Sequence, residues 1–176
     1  TRIIPRLSFM VGMPGETEDE IQKTYQFVVM LKEKYPACQP LVTPFRLFPG
    51  SKLYEIAVSE YGYKSPESLL EWVEMDDKEY SEAVGYQNTK YYPWIRDAKK
   101  FESRHKIFTI FRVASWSLSP YLKKMNIKSR IRYFVKRFLY KIAALRIRKD
   151  FYNFNIEYFL LELWRNGRSK IQSFKQ

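Results

Sequence analysis

Apolar residues run almost unbroken from Leu7 to Met13, with only Ser8 and Gly12 intervening, and the run stops at Pro14-Gly15. A stretch that short, closed by a turn signal, predicts a buried strand rather than a helix. Beyond the turn the period changes. Ile21, Tyr25, Val28 and Leu31 recur every three or four positions, which predicts a helix from Glu18 to Lys34. Thr17 and Glu20 form a capping box at its start, where Glu18, Asp19 and Glu20 suit the positive end of the helix dipole. Lys32, Lys34 and then Pro36 mark its end. Leu41 to Phe48 is the second predicted strand. Pro44 cannot donate to a ladder, which places this strand at an edge or a bulge.

Pro49-Gly50 turns the chain, and Ser51 caps a short helix through Leu53, Ile56 and Ala57 that ends at Tyr61-Gly62-Tyr63. Ser65-Pro66-Glu67 predicts another helix start, with Leu69, Leu70, Trp72 and Val73 as its apolar face through Met75. Residues 76–94 carry the breakers Gly85, Asn88 and Pro93 and read mostly as loop. Ile95 to Ser117 reads as a helix with Ala98, Phe101, His105, Phe108, Phe111 and Arg112 along one side. Farther on, Ile127, Ile131, Phe134, Phe138, Ile142 and Leu145 step by three or four, a continuous apolar stripe on one more helix. A strand, a helix and a strand make one right-handed parallel crossover, and a single crossover cannot bury both faces of its sheet. The pattern predicts an α/β chain: a β/α portion in need of neighbouring strands, then a mainly helical extension.

Charge divides the chain at a different level. Residues 1–120 hold 16 Lys and Arg against 16 Asp and Glu, whereas residues 121–176 hold 15 against 3. The whole +12 excess lies in the last third, which suggests a change of module near Ser119-Pro120. Residues 121–149 contain eleven Lys and Arg and no acid. Lys128, Arg130, Arg132, Lys136, Arg137 and Lys141 surround the apolar stripe, so the segment is a basic amphipathic helix. Three uses stay open. It can dock on an anionic membrane surface. It can meet nucleic-acid phosphates, a use disfavoured because the aromatics lie on the stripe and not among the cations. Or its stripe can pack on a partner helix such as residues 151–164, the favoured reading.

Aromatic residues make up 18% of the chain, so rings must fill much of any core. The one cysteine, Cys38, excludes an internal disulfide and every cysteine-rich zinc site. No apolar run is long enough for a transmembrane helix. The lone histidine, His105, has no second His or Cys nearby in sequence, which weighs against a metal site there. Tyr86, Tyr91, Tyr92 and Trp94 either line a pocket for a large flat molecule or, the favoured reading, pack over the strand ends. The Pro14-Gly15 turn is likewise read as a plain βα turn or as an anion-binding helix start. Glu16, Glu18, Asp19 and Glu20 would repel a phosphate, and neither G-x-x-x-x-G-K-[ST] nor G-x-G-x-x-G is present. The plain turn is favoured.

Two motifs together carry a family resemblance. Phe9-x-x-Gly12-x-Pro14-Gly15-Glu16-Thr17-x-x-x-Ile21 is followed by Pro44-Phe45-Arg46-Leu47-Phe48-Pro49-Gly50-Ser51-x-Leu53-Tyr54. The combination resembles the last two β/α units of the radical S-adenosylmethionine barrel, in the cobalamin-binding branch that includes the anaerobic magnesium-protoporphyrin monomethyl ester cyclases. That branch has a G-x-P-G-E-T turn after the fifth strand and a P-x-x-x-x-P-G-T-like segment at the sixth. The match covers residues 3 to 60. It implies that residues 1–63 end a partial (β/α)6 barrel; the residue pattern and the charge division add a helical and aromatic extension at 64–120 and a basic amphipathic tail at 121–176.

The resemblance further implies a cytoplasmic parent enzyme, with peripheral contact to an anionic membrane open through residues 121–149. The parent would use S-adenosylmethionine, a 4Fe-4S cluster and cobalamin for radical methylation, cyclisation or oxidation of an unreactive carbon. The family's C-x-x-x-C-x-x-C cluster loop is absent here, and Cys38 alone cannot replace three thiolates. The chain is therefore expected to be the C-terminal portion of a longer protein, inactive alone, whose first partner is the upstream part of the same chain. The alternative is a non-enzymatic module that reaches a membrane or nucleic acid through its basic helix. Carried over residue by residue, the resemblance nominates Gly12, Met13 and Pro14 at one strand end and Leu47 and Phe48 at the other. Their role would be backbone hydrogen bonds and apolar contact to adenine, with no acid–base part and no metal ligand. The family's looser pattern G-x-I-x-G-x-x-E is met in part, with Ser8 and Met10 in its first two places and Glu16 one residue late.

Overall fold

A computed structural model of the chain describes residues 3–73, 92–116, 127–154 and 157. Among these residues the fold is α/β, with five helices and one two-stranded parallel sheet. The order is β1 (Arg6–Val11), α1 (Glu18–Lys34), β2 (Gln39–Pro44), α2 (Lys52–Tyr61), α3 (described over 69–73), α4 (Ala98–Trp116) and α5 (Ile127–Arg148). Two compact units divide the chain, Thr1–Glu102 and Ser103–Gln176. Residues 92–102 thus belong with the β/α portion, although the division drawn from sequence grouped them with the helical extension. The expected loop at 76–94 lies outside the described residues, apart from its last three.

In the first unit, α1 has the predicted bounds because its signals are local. Thr17 Oγ1 accepts from the Glu20 amide, while the Glu20 carboxylate accepts from the Thr17 amide and hydroxyl at 2.8 and 2.7 Å. Lys32 does more than offset the dipole. Its buried ammonium donates to the carbonyls of Pro36 and Cys38, both at 2.8 Å, and so pins the turn into β2. Burial holds the Lys32 pKa below its ordinary value.

The strand pair explains its own prolines. The amides of Gln39 and Phe45 donate to the carbonyls of Pro5 and Val11, at 2.9 and 2.7 Å. Backbone groups alternate in direction along a strand, so the odd-numbered residues of β1 face β2. Arg6, Ser8 and Met10 therefore turn their N–H and C=O groups toward the far edge. By the same alternation the nitrogens of Pro40 and Pro44 point away from β1, which keeps both prolines inside the strand. β2 accordingly starts two residues earlier than the pattern suggested and ends at Pro44 rather than Phe48. One sheet face packs against α1: Val11 and Val42 are buried there with Ile21, Tyr25, Val28 and Val29, and Phe9 meets Phe27 edge to face. On the opposite face Arg6, Ser8 and Met10 are exposed.

α2 keeps its predicted ends, with Ser51 accepting from the Tyr54 amide and Gly62 left-handed at the other end. α3 starts later than the Ser65-Pro66 signal. Ser68 accepts from the Glu71 amide and is the cap, and Leu69, Leu70 and Val73 are exposed rather than buried. Asp97, not Ile95, opens α4, through its side-chain acceptance from the Lys100 amide.

In the second unit, the buried part of α4 is wider than the one side expected, although Lys106 and Val113 stay half-buried. Ile107, Phe108, Thr109, Ile110 and Phe111 are consecutive and all buried, the pattern of a central helix. α5 corrects the sequence more sharply. The face turned inward is Tyr140, Ala143, Ala144 and Ile147, with Tyr140 stacked on Phe111 at 5.0 Å. The predicted stripe residues Phe134, Phe138 and Leu145 are exposed. The expected partner helix fails at its start. Residues 151–154 are not helical, and Phe154 has φ +64°. The remainder of that stretch lies outside the described residues, except Glu157. Arg146 holds this end together, donating to the carbonyls of Phe151, Asn153 and Phe154 and pairing with Glu157.

Candidate functional site

Ligands of parallel α/β sheets sit beyond the carboxyl ends of the strands. In the first unit that end is built by the Gly12–Thr17 turn, the Phe45–Phe48 segment and the returning residues 92–97. Gly12 has φ +82°, and a Cβ there would stand 2.9 Å from the Phe101 ring, so only glycine fits. Its carbonyl accepts from the Trp94 indole nitrogen at 2.9 Å in a buried bond. Its amide donates to the Glu16 carboxylate, which also accepts from the Met13 amide at 3.1 Å. The Met13 carbonyl in turn accepts from the Glu16 amide at 3.0 Å. Gly15, at φ +87°, makes the reversal that returns Glu16 to the strand end.

An aromatic cluster backs this turn. Tyr92 and Trp94 stack at 4.8 Å, Tyr63 lies against both, and Phe45, Leu47 and Ala57 complete the buried set, with Met13 and Tyr61 packed on it. Tyr92 and Trp94 therefore pack over the strand ends, as favoured from sequence; Tyr86 and Tyr91 lie outside the described residues. Of the nominated residues, the fold brings Gly12, Met13 and Leu47 together and leaves Phe48 exposed and Pro14 half-buried. The backbone groups of Gly12 and Met13 are engaged within the chain. They do not present donors to an adenine ring in this conformation.

Beside the turn lies an open cleft of about 350 Å³, lined by Gly15 to Asp19, Ile21, Tyr61 and Trp94 to Arg96. None of the five nominated residues lines it. Its rim is acidic, and the capping hydrogen bonds from Thr17 hold the Glu20 carboxyl below its ordinary pKa. Neither the Glu16 clamp nor the bond from Trp94 to Gly12 was legible from sequence. Trp94 meets Gly12 across 82 residues, and no local period reports such a contact.

Cys38 is buried, with its thiol 3.7 Å from the Leu31 carbonyl. Among the described residues no group of three His, Cys, Asp or Glu could hold a metal ion, and no helix is long and apolar enough to cross a membrane. His105 is a core residue: burial, with the nearby Arg112 charge, lowers its pKa to about 4. Compared with family models, curated proteins and solved structures, the chain matches none.

Proposed function

We propose that this chain is the closing β/α part of a radical S-adenosylmethionine enzyme of the cobalamin-binding type, with a helical unit appended. The observation that carries the reading is the asymmetry of the two sheet edges. At the outer edge of β2, Pro40 and Pro44 have no N–H to offer a further strand. The far edge of β1 offers the N–H and C=O groups of Arg6, Ser8 and Met10. A sheet that stops at β2 and continues beyond β1 is what the last two strands of an open barrel require.

The uncovered face supports the same reading. A parallel sheet is stable when both faces are covered, and among the described residues only α1 covers one of them. In the parent, Ser8 and Met10 would look into the barrel, from the places that the family pattern gives to Gly and Ile. The G-x-P-G-E-T turn would serve as a brace: Gly12, Gly15, Glu16 and Thr17 each have a conformational or hydrogen-bonding job that fixes the strand end. The Gly12 and Met13 amides are held by Glu16, and no step of the reaction is assigned to the five nominated residues. S-adenosylmethionine, the 4Fe-4S cluster and cobalamin would be held by upstream residues of the parent, for a reaction at an unreactive carbon.

The test is on the parent protein purified without oxygen. Its iron and sulfide content is measured, and it is then mixed with S-adenosylmethionine and a reductant. The expected result is bound iron with formation of 5′-deoxyadenosine. A parent that holds no iron and forms none of that product overturns the proposal.

A further inference from the structure

The inward face of α5 is docked on its own unit through Tyr140, Ala143, Ala144 and Ile147, which fixes what the other face presents. Phe134, Phe138 and Leu145 are 61%, 63% and 55% exposed, and Val135 is exposed beside them. At 100° per residue these three fall within a narrow arc, a strip that runs about 16 Å along the helix. Next to it stands a row of exposed cations, Arg130, Arg137, Lys141 and Arg148, at spacings that return to the same angle. No acid occurs anywhere from Ile127 to Arg148. Arg146, by contrast, is turned inward and held by three carbonyls and Glu157. The helix therefore separates one structural cation from an outward set.

We propose that this face of α5 docks the chain on an anionic lipid bilayer, with the helix lying in the interface plane. The partner follows from complementarity. An apolar strip bordered along its length by cations matches the boundary between acyl chains and phosphate headgroups. The arginine and lysine stems can lie along the lipid while their charges reach the phosphates. Nucleic acid would match the cations and leave Leu145 and Val135 without apolar cover. The inference stands apart from the enzyme reading, since it concerns only the second unit.

The test is co-sedimentation of the full chain with vesicles of phosphatidylcholine alone or with one part in four of phosphatidylserine. The expected result is binding to the anionic vesicles, weakened by salt. F134S/F138S should lose about tenfold or more in affinity, and R137E/K141E should lose a comparable factor. These positions are exposed, so circular dichroism should show both variants folded. Equal binding to both vesicle types overturns the proposal, as does F134S/F138S binding unchanged. Tighter binding to a transfer RNA probe than to anionic vesicles overturns it in favour of nucleic acid.

Discussion

The Glu16 carboxylate accepts a hydrogen bond from the Gly12 amide, four residues back, and so closes the turn onto the end of β1. A charge-assisted acceptor on two successive amides fixes a backbone that would otherwise have to be solvated. The acidic residue that looked like a source of repulsion at the helix start is instead an integral part of the turn.

Glu16→Ala should leave the Gly12 and Met13 amides without that acceptor and destabilise the first unit by about 2 kcal/mol. Glu16→Gln keeps an oxygen acceptor and should lose less. Urea denaturation gives the energies. Amide exchange at Gly12 and Met13 should quicken in the alanine variant, and unchanged protection there would contradict the clamp.

Gly12→Ala meets two obstacles together, the left-handed φ and the Phe101 ring 2.9 Å from the new methyl. The expected loss is about 2–4 kcal/mol. Relieving the clash with Phe101→Leu in the same chain should recover part of it and leave the backbone share.

Lys32→Met removes the cation that donates to the Pro36 and Cys38 carbonyls. The variant should be less stable by about 2 kcal/mol, and Cys38, now on a looser turn, should react faster with a thiol reagent. A reaction rate equal to that of the wild type would show that the turn holds without Lys32.

His105 has its pKa lowered to about 4 by burial first and the Arg112 charge second. Above about pH 6.5 both folded and unfolded forms carry it neutral, so it adds no pH dependence there. As pH falls below that value the unfolded form takes up the proton first, and stability is lost until the folded pKa is passed. Between pH 7 and pH 5 the loss should be about 2 kcal/mol. Comparing urea midpoints of wild type and His105→Leu at both pH values isolates it from the carboxylates, because only the wild type should show the extra drop.

The exposed capping carboxylate at Glu20 responds in the same direction, at lower pH. Its folded pKa is depressed by hydrogen bonds from Thr17, so its contribution is present above the ordinary glutamate pKa and disappears as pH falls through the folded value. Thr17→Ala should abolish this part of the acid response, seen as equal helix content at pH 7 and pH 3 in the first turn of α1 by NMR shifts.

What the sequence determined by itself is the set of features that close within four residues. The capping box and the terminal proline set α1 at Glu18–Lys34, and Ser51 and Gly62 set α2, because each end is decided by side chains hydrogen-bonding to their own backbone. Strand identity was legible too, but the span of β2 was not. Whether a proline ends a strand depends on which way its nitrogen faces the neighbour, and that is a property of the pair.

The tertiary structure alone decided which faces are buried. On α5 the larger side chains Phe134 and Phe138 are exposed while Ala143 and Ala144 are inside. Apolar periodicity gives the spacing of apolar residues but not which of two apolar arcs on one helix turns inward. The same holds for Trp94 over Gly12. A glycine in a turn announces backbone freedom, but that this one also makes room for Phe101 and offers its carbonyl to an indole depends on chain that returns from 82 residues away.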